Sequence, residues 1–82
     1  MTMKITPAQC RALEAVRDGK CFRRYTATGN SVKGPEGIGG AALWNLEKLH
    51  LIREDGHSAG TKCLFELTDA GRMALRQAEE QQ

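Results

Sequence analysis

Apolar positions along this chain fall into a helical period, lose it across a glycine-rich stretch, recover it, alternate, and become helical again. The first helical stretch opens on Thr6-Pro7-Ala8-Gln9, a capping box with proline at the first helical position. Ile5 and Cys10 are spaced as a hydrophobic staple across that cap, and Cys10, Leu13 and Val16 continue one apolar face. Gly19 is a stop signal, so the pattern predicts a helix from Pro7 to Asp18.

From Lys20 to Gly37 no helical period survives, because Gly29, Gly34, Pro35 and Gly37 punctuate the segment. Cys21 to Thr26 reads as a short strand with Phe22 on one face, and Thr28 to Ser31 as a turn or exposed loop. A second helix is predicted over Ile38 to Leu49, where Ile38, Ala42, Leu46 and Leu49 form a stripe that Leu43 widens. Leu51 to Asp55 reads as a strand, Gly56 to Gly60 as a flexible turn, and Lys62 to Leu67 as a returning strand. In the return strand Cys63, Phe65 and Leu67 alternate with Lys62 and Glu66, which leaves Leu64 on the outer face. Thr68-Asp69 caps a last helix carrying Ala70, Ala74, Leu75 and Ala78. Glu79 and Glu80 oppose the dipole at its end, which predicts fraying from Glu79 onward.

The run Ala42-Leu43-x-x-Leu46-Glu47-x-x-His50-Leu51-Ile52, a glycine-rich turn, and Phe65-x-Leu67-Thr68-Asp69-Ala70-Gly71-Arg72 resembles winged-helix regulators such as the MarR- and PadR-like families. The resemblance implies an α+β winged helix-turn-helix fold: three helices, a two-stranded β-wing, and an atypical glycine-rich segment where the family has a short helix. His50 stands where the family commonly has a glycine in left-handed conformation, a region histidine tolerates better than most residues. Gly71 fits a close approach of two elements, since glycine inside a helix otherwise costs about 1 kcal/mol.

The resemblance further implies that the Ile38 to Leu49 helix is a recognition helix lying in the major groove of double-stranded DNA. Its candidate contacts are Gly40, Ala41, Trp44, Asn45 and Lys48. Asn45 suits a paired hydrogen bond to adenine, and Lys48 a phosphate or guanine. Gly40 and Ala41 suit close backbone approach to a phosphate at a helix N-terminus. Lys62 and His57 would flank the DNA backbone from the wing, and Arg23, Arg24 and Lys33 would add phosphate affinity.

Charge distribution favours that reading only in part. The net charge is +2, but residues 1–41 hold seven Lys/Arg against three Asp/Glu and residues 42–82 hold five against seven. The positive field lies early; a solvated basic face explains it equally well. Trp44 departs from a base-reading surface, and it either anchors a protein partner or covers the edge of the core.

Other classes fit less well. Cys10, Cys21 and Cys63 lack the close spacing of zinc or redox sites, even with His57 added, and read as reduced, buried thiols with no metal or cofactor. Gly34-x-x-Gly37-x-Gly39-Gly40 resembles a phosphate-binding loop but lacks its Gly-Lys-Ser/Thr ending. Cys63 with His57 or His50 as thiol and base would need a water-excluding pocket that a chain of 82 residues has little room for, so no enzyme is expected. Apolar runs are too short to span a membrane and no secretory leader is evident, which predicts one cytoplasmic domain over 1–82. The rival to DNA binding is a winged helix repurposed as a protein-binding module, such as a phage-encoded inhibitor or adaptor, for which Trp44, Leu49 and Leu64 would be exposed. A core this small also favours a homodimer, through the stripe Ala70, Ala74, Leu75 and Ala78.

Overall fold

The computed structural model describes residues 4–80, with the backbone alone at 57–59. Helix α1, Pro7–Arg17, starts where the capping box places it: the Thr6 N–H donates to Gln9 Oε1 at 2.9 Å and the Gln9 N–H to Thr6 Oγ1 at 3.1 Å. These bonds satisfy two of the donors that a helix start leaves without intrahelical partners. The face it buries is Cys10, Ala12, Leu13, Ala15 and Val16.

The glycine-punctuated middle is not a strand followed by a loop. It is a β-hairpin, β1 Phe22–Thr26 and β2 Gly29–Lys33, with Thr26 opposite Gly29 and Ala27-Thr28 as its two-residue turn. The turn therefore comes one residue earlier than the predicted Thr28 to Ser31, because Gly29, Asn30 and Ser31 already pair with β1.

Helix α2 spans Gly40–Lys48, two residues later at its start than the apolar pattern suggests. Gly39 is its N-cap, and no side chain caps it. The face that α2 buries is centred on Leu43 and Leu46, while Ala42 is exposed and Leu49 is 40% exposed. Gly40 is where α2 crosses β2, since a Cβ there would lie 2.7 Å from the Val32 carbonyl oxygen. Ile38, ahead of the helix, is half-buried against the core.

Strands β3, Ile52–Ala59, and β4, Lys62–Leu67, form the second hairpin, in which an irregularity between Glu54 and Ser58 shifts the register. β3 continues through the expected turn at Gly56 to Gly60, and the chain reverses at Gly60-Thr61 instead. The hairpin is not a free two-stranded wing. Phe22, Arg23 and Arg24 pair with Leu64, Cys63 and Lys62, so the sheet has four antiparallel strands in the order β2-β1-β4-β3. Both hairpin turns lie at the same end, where the Tyr25 N–H donates to the Thr61 carbonyl at 2.8 Å.

Helix α3, Asp69–Glu80, is capped by Thr68, whose Oγ1 accepts from the Gly71 N–H at 3.0 Å. The same hydroxyl donates to the His50 carbonyl at 2.6 Å, and the Thr68 N–H donates to the Leu51 carbonyl at 3.1 Å. These bonds hold the start of α3 against the α2–β3 junction, where His50 takes the left-handed conformation with φ 62°. Gly71 permits the approach, because a Cβ there would sit 1.9 Å from the Leu51 carbonyl oxygen. The helix runs to Glu80, and the Glu79 carboxylate accepts from Arg17 of α1 at 3.3 Å; the rest of the segment expected to fray, 81–82, lies outside the described residues.

Leu13, Val16, Leu43, Leu46, Leu51, Ile52, Phe65 and Leu67 join α1, α2, β3 and β4 in one core. Removing a side chain of this size from water contributes about 1.5–3 kcal/mol. Ala74 and Leu75, expected to face a second copy, are buried in the same core, and Ala78 packs against it. Ala70, the first residue of that stripe, is exposed. Among the described residues no helix is long and apolar enough to cross a membrane.

Candidate nucleic-acid interface

Period-two alternation in β1 sends Cys21, Arg23 and Tyr25 to one side of the sheet and Phe22, Arg24 and Thr26 to the other. The strand pairing settles which side is inner: Arg23 lies between Val32 and buried Cys63, facing α2. Its guanidinium contacts both Glu47 oxygens, Nη2 to Oε1 at 2.5 Å and Nη1 to Oε2 at 3.1 Å, and Glu54 Oε1 at 2.9 Å. It also lies 5.4 Å above the Phe65 ring centroid. Hydrogen bonding to Glu47, with a further contribution from Glu54, holds its pKa above the ordinary arginine value against the opposing effect of burial. The Tyr25 hydroxyl donates to Glu54 as well, and that bond raises its pKa.

Arg23 is therefore not the phosphate contact its place in the basic stretch suggests. With 14% of its side chain exposed and two carboxylates against it, it fastens β1 to α2 and β3. The partners come from the acidic second half of the chain. Glu47, Glu54 and Tyr25 were missed as members of one cluster; the available signal was the shared parity of Arg23 with Cys21, which marks an inward position.

Arg24, Lys33 and Lys62 take the opposite face. Arg24 stands directly across from Lys62, and Phe22 stands between Lys33 and Leu64. Lys62 Nζ lies 4.3 Å and the Arg24 guanidinium carbon 6.0 Å from the Phe22 ring centroid. The three cations are exposed, while Phe22 and Leu64 are half-buried. Alternation with Arg23 along β1 places Phe22 on the same face as Arg24.

Helix α2 presents a separate surface. Ala41, Trp44, Asn45 and Lys48 are exposed along it, Trp44 at 56%, with Lys48 Nζ 5.1 Å from the indole centroid. Trp44 thus does not cover the core. Gly40, the first residue of α2, is half-buried, and a Cβ there would meet the Val32 carbonyl. The side chain of His57 lies outside the described residues. Arg23, Arg24, Lys33, Lys48 and Lys62 do not share one surface, since α2 packs on the inner face with Arg23, while Arg24, Lys33 and Lys62 stand on the outer one.

The ion pairs of the described residues engage four arginines, Arg17, Arg23, Arg53 and Arg72, with six carboxylates. None of them involves Arg24, Lys33, Lys48 or Lys62. Arg24, Lys33 and Lys62 on the outer face and Lys48 on α2 are thus exposed cations outside these pairs.

An open groove of about 710 Å³ runs between α1, α3 and β4, with Val16, Leu64 and Leu75 among its apolar lining and Arg17, Arg76 and Glu79 on its walls. None of the cysteines lines it. All three are buried free thiols, and burial pushes Cys21 up to about 11. Among the described residues no group of three or more His, Cys, Asp or Glu could hold a metal ion. Comparison of the chain with protein-family models, with curated proteins and with solved structures finds no match.

Proposed function

We propose that this chain is a small winged-helix DNA-binding protein, a transcription regulator of the bacterial and phage kind, with α2 in the major groove and the β3–β4 hairpin along the backbone. The observation that carries it is the exposed row Ala41, Trp44, Asn45 and Lys48 on a helix that passes through left-handed His50 directly into the hairpin. A helix followed by a hairpin is the arrangement by which such domains seat one element in the groove. The β1–β2 hairpin takes the place of the family's short helix, supporting α2 through Val32 and the Arg23–Glu47 contact. Asn45 is the candidate for adenine, and Lys48 for phosphate or guanine.

Fluorescence anisotropy with duplex DNA over a salt series tests the reading. Binding is expected to weaken steeply with salt, and Lys48→Ala to lower the log–log slope by about 0.9, the share of one phosphate contact. No duplex binding even at low salt would overturn it.

Trp44 supports a second reading, a module that docks on a protein. An indole at 56% exposure is costly to leave in water and is enriched where interfaces concentrate their energy. A stoichiometric partner recovered with the wild-type chain and lost with Trp44→Ala would favour it over DNA; equal recovery with both would dismiss Trp44 as the anchor.

A further inference from the structure

We infer that the outer face of the sheet is a second nucleic-acid site, one that takes single strands and is independent of the duplex reading for α2. The face is built from two cross-strand rows, Lys33–Phe22–Leu64 and Ser31–Arg24–Lys62. Arg24 directly opposite Lys62 is a like-charge pair, an arrangement that costs a sheet stability. The Phe22 ring attracts both cations, which offsets that cost in part. An anion seated between them offsets the remainder. Two carboxylates share this face: Glu66 of β4, which Arg53 holds at 2.9 Å, and Asp55 of β3, which lines the groove with Leu64 and Glu66; neither is the cross-strand partner of Arg24 or Lys62.

The shape selects the form of the polyanion. Arg24 and Lys33 stand on the face of the sheet opposite α2, while Lys62, at the tip of the β3–β4 hairpin, is the one cation that this face shares with the duplex reading. An antiparallel face with an aromatic ring among cations suits a single strand, whose phosphates track the charges while an unstacked base lies on the ring. When Lys62 and Arg24 turn to phosphates, the half-buried Phe22 ring is uncovered for that base.

The test is anisotropy of a labelled oligothymidine of about a dozen nucleotides, titrated with the full chain between about 50 and 200 mM salt. Saturable binding is expected, with the log–log slope lowered by about 1.4 in the double variant Arg24→Ala/Lys62→Ala, two phosphate contacts being lost. Phe22→Leu, which keeps an apolar side chain in the sheet, is expected to weaken binding about tenfold through the lost stacking. Lys33→Ala alone provides a milder change should the double variant fail to fold by circular dichroism. Lys48→Ala is expected to leave single-strand binding unchanged while lowering duplex binding, so the two sites fail separately. Absence of single-strand binding at low salt, indifference to the Arg24, Lys33 and Lys62 changes, or equal loss with Lys48→Ala would each overturn the inference.

Discussion

Arg23 of β1 grips Glu47 of α2 at two points, with the shorter contact at 2.5 Å, and so sets how the helix sits on the sheet. The same guanidinium holds Glu54 of β3, which ties three elements through one charge. Arg23→Ala would leave both carboxylates beside an apolar surface without a counter-charge. The half-exposed carboxylates can recover some hydration, so the expected loss is about 2 kcal/mol, below that of a fully buried pair. Urea denaturation checks this; a midpoint equal to the wild type would show that the contact carries no stability.

Gly71 and Gly39 are expected to respond in opposite directions. The carbonyl oxygen of Leu51 occupies the place of a Cβ at Gly71, so Gly71→Ala must push α3 off the α2–β3 junction and cost about 3 kcal/mol. Around Gly39, at φ −78°, there is nothing within 4 Å, and α2 lacks a side-chain cap. Gly39→Ser should add one and raise stability by about 0.5 kcal/mol. Thermal melts of both variants decide; a Gly71→Ala protein as stable as the parent would refute the close approach.

His50 occupies the left-handed region with φ 62°, where most side chains are strained by about 1–2 kcal/mol. His50→Gly should therefore raise the melting temperature, and β-branched His50→Val should lower it. The carbonyl that accepts from Thr68 belongs to the backbone and remains in either variant. The reverse order of melting temperatures would contradict the assigned conformation.

Burial of Cys21 predicts a loss of stability in alkali. Its thiol is pushed from 9.0 to about 11 in the folded chain, so between those values the unfolded chain releases a proton that the folded chain retains. Stability is full below pH 9 and falls as the pH rises toward 11, by up to about 2 kcal/mol. Cys21→Ala should flatten the melting temperature over that interval; an unchanged slope would place its origin elsewhere.

Trp44 is the sole tryptophan, and most of it lies outside the core. Trp44→Ala should change stability by no more than about 0.5 kcal/mol, as for an ordinary surface substitution. The wild-type emission maximum should be that of a hydrated indole and should shift when duplex DNA is added. A blue-shifted maximum in the isolated protein, or a large fall in melting temperature for the variant, would place Trp44 in the core instead.

The sequence by itself determined the elements whose signals are local. The Thr6–Gln9 capping box, the alternation of Cys63, Phe65 and Leu67, and the Thr68 cap depend on neighbours a few residues away, and each is found in the structure. Even His50 and Gly71 were legible, because one left-handed residue and one missing Cβ leave a mark at a single position. Only the tertiary structure decided the surfaces. The packing of α2 on the sheet decided that Leu43, not Ala42, faces the core, and the pairing of Arg23 with Cys63, forty positions along the chain, sent Arg23 inward and Arg24 outward. In a strand, adjacent residues point to opposite faces, so the register of a distant partner determines which charge meets the solvent and which is spent inside the fold.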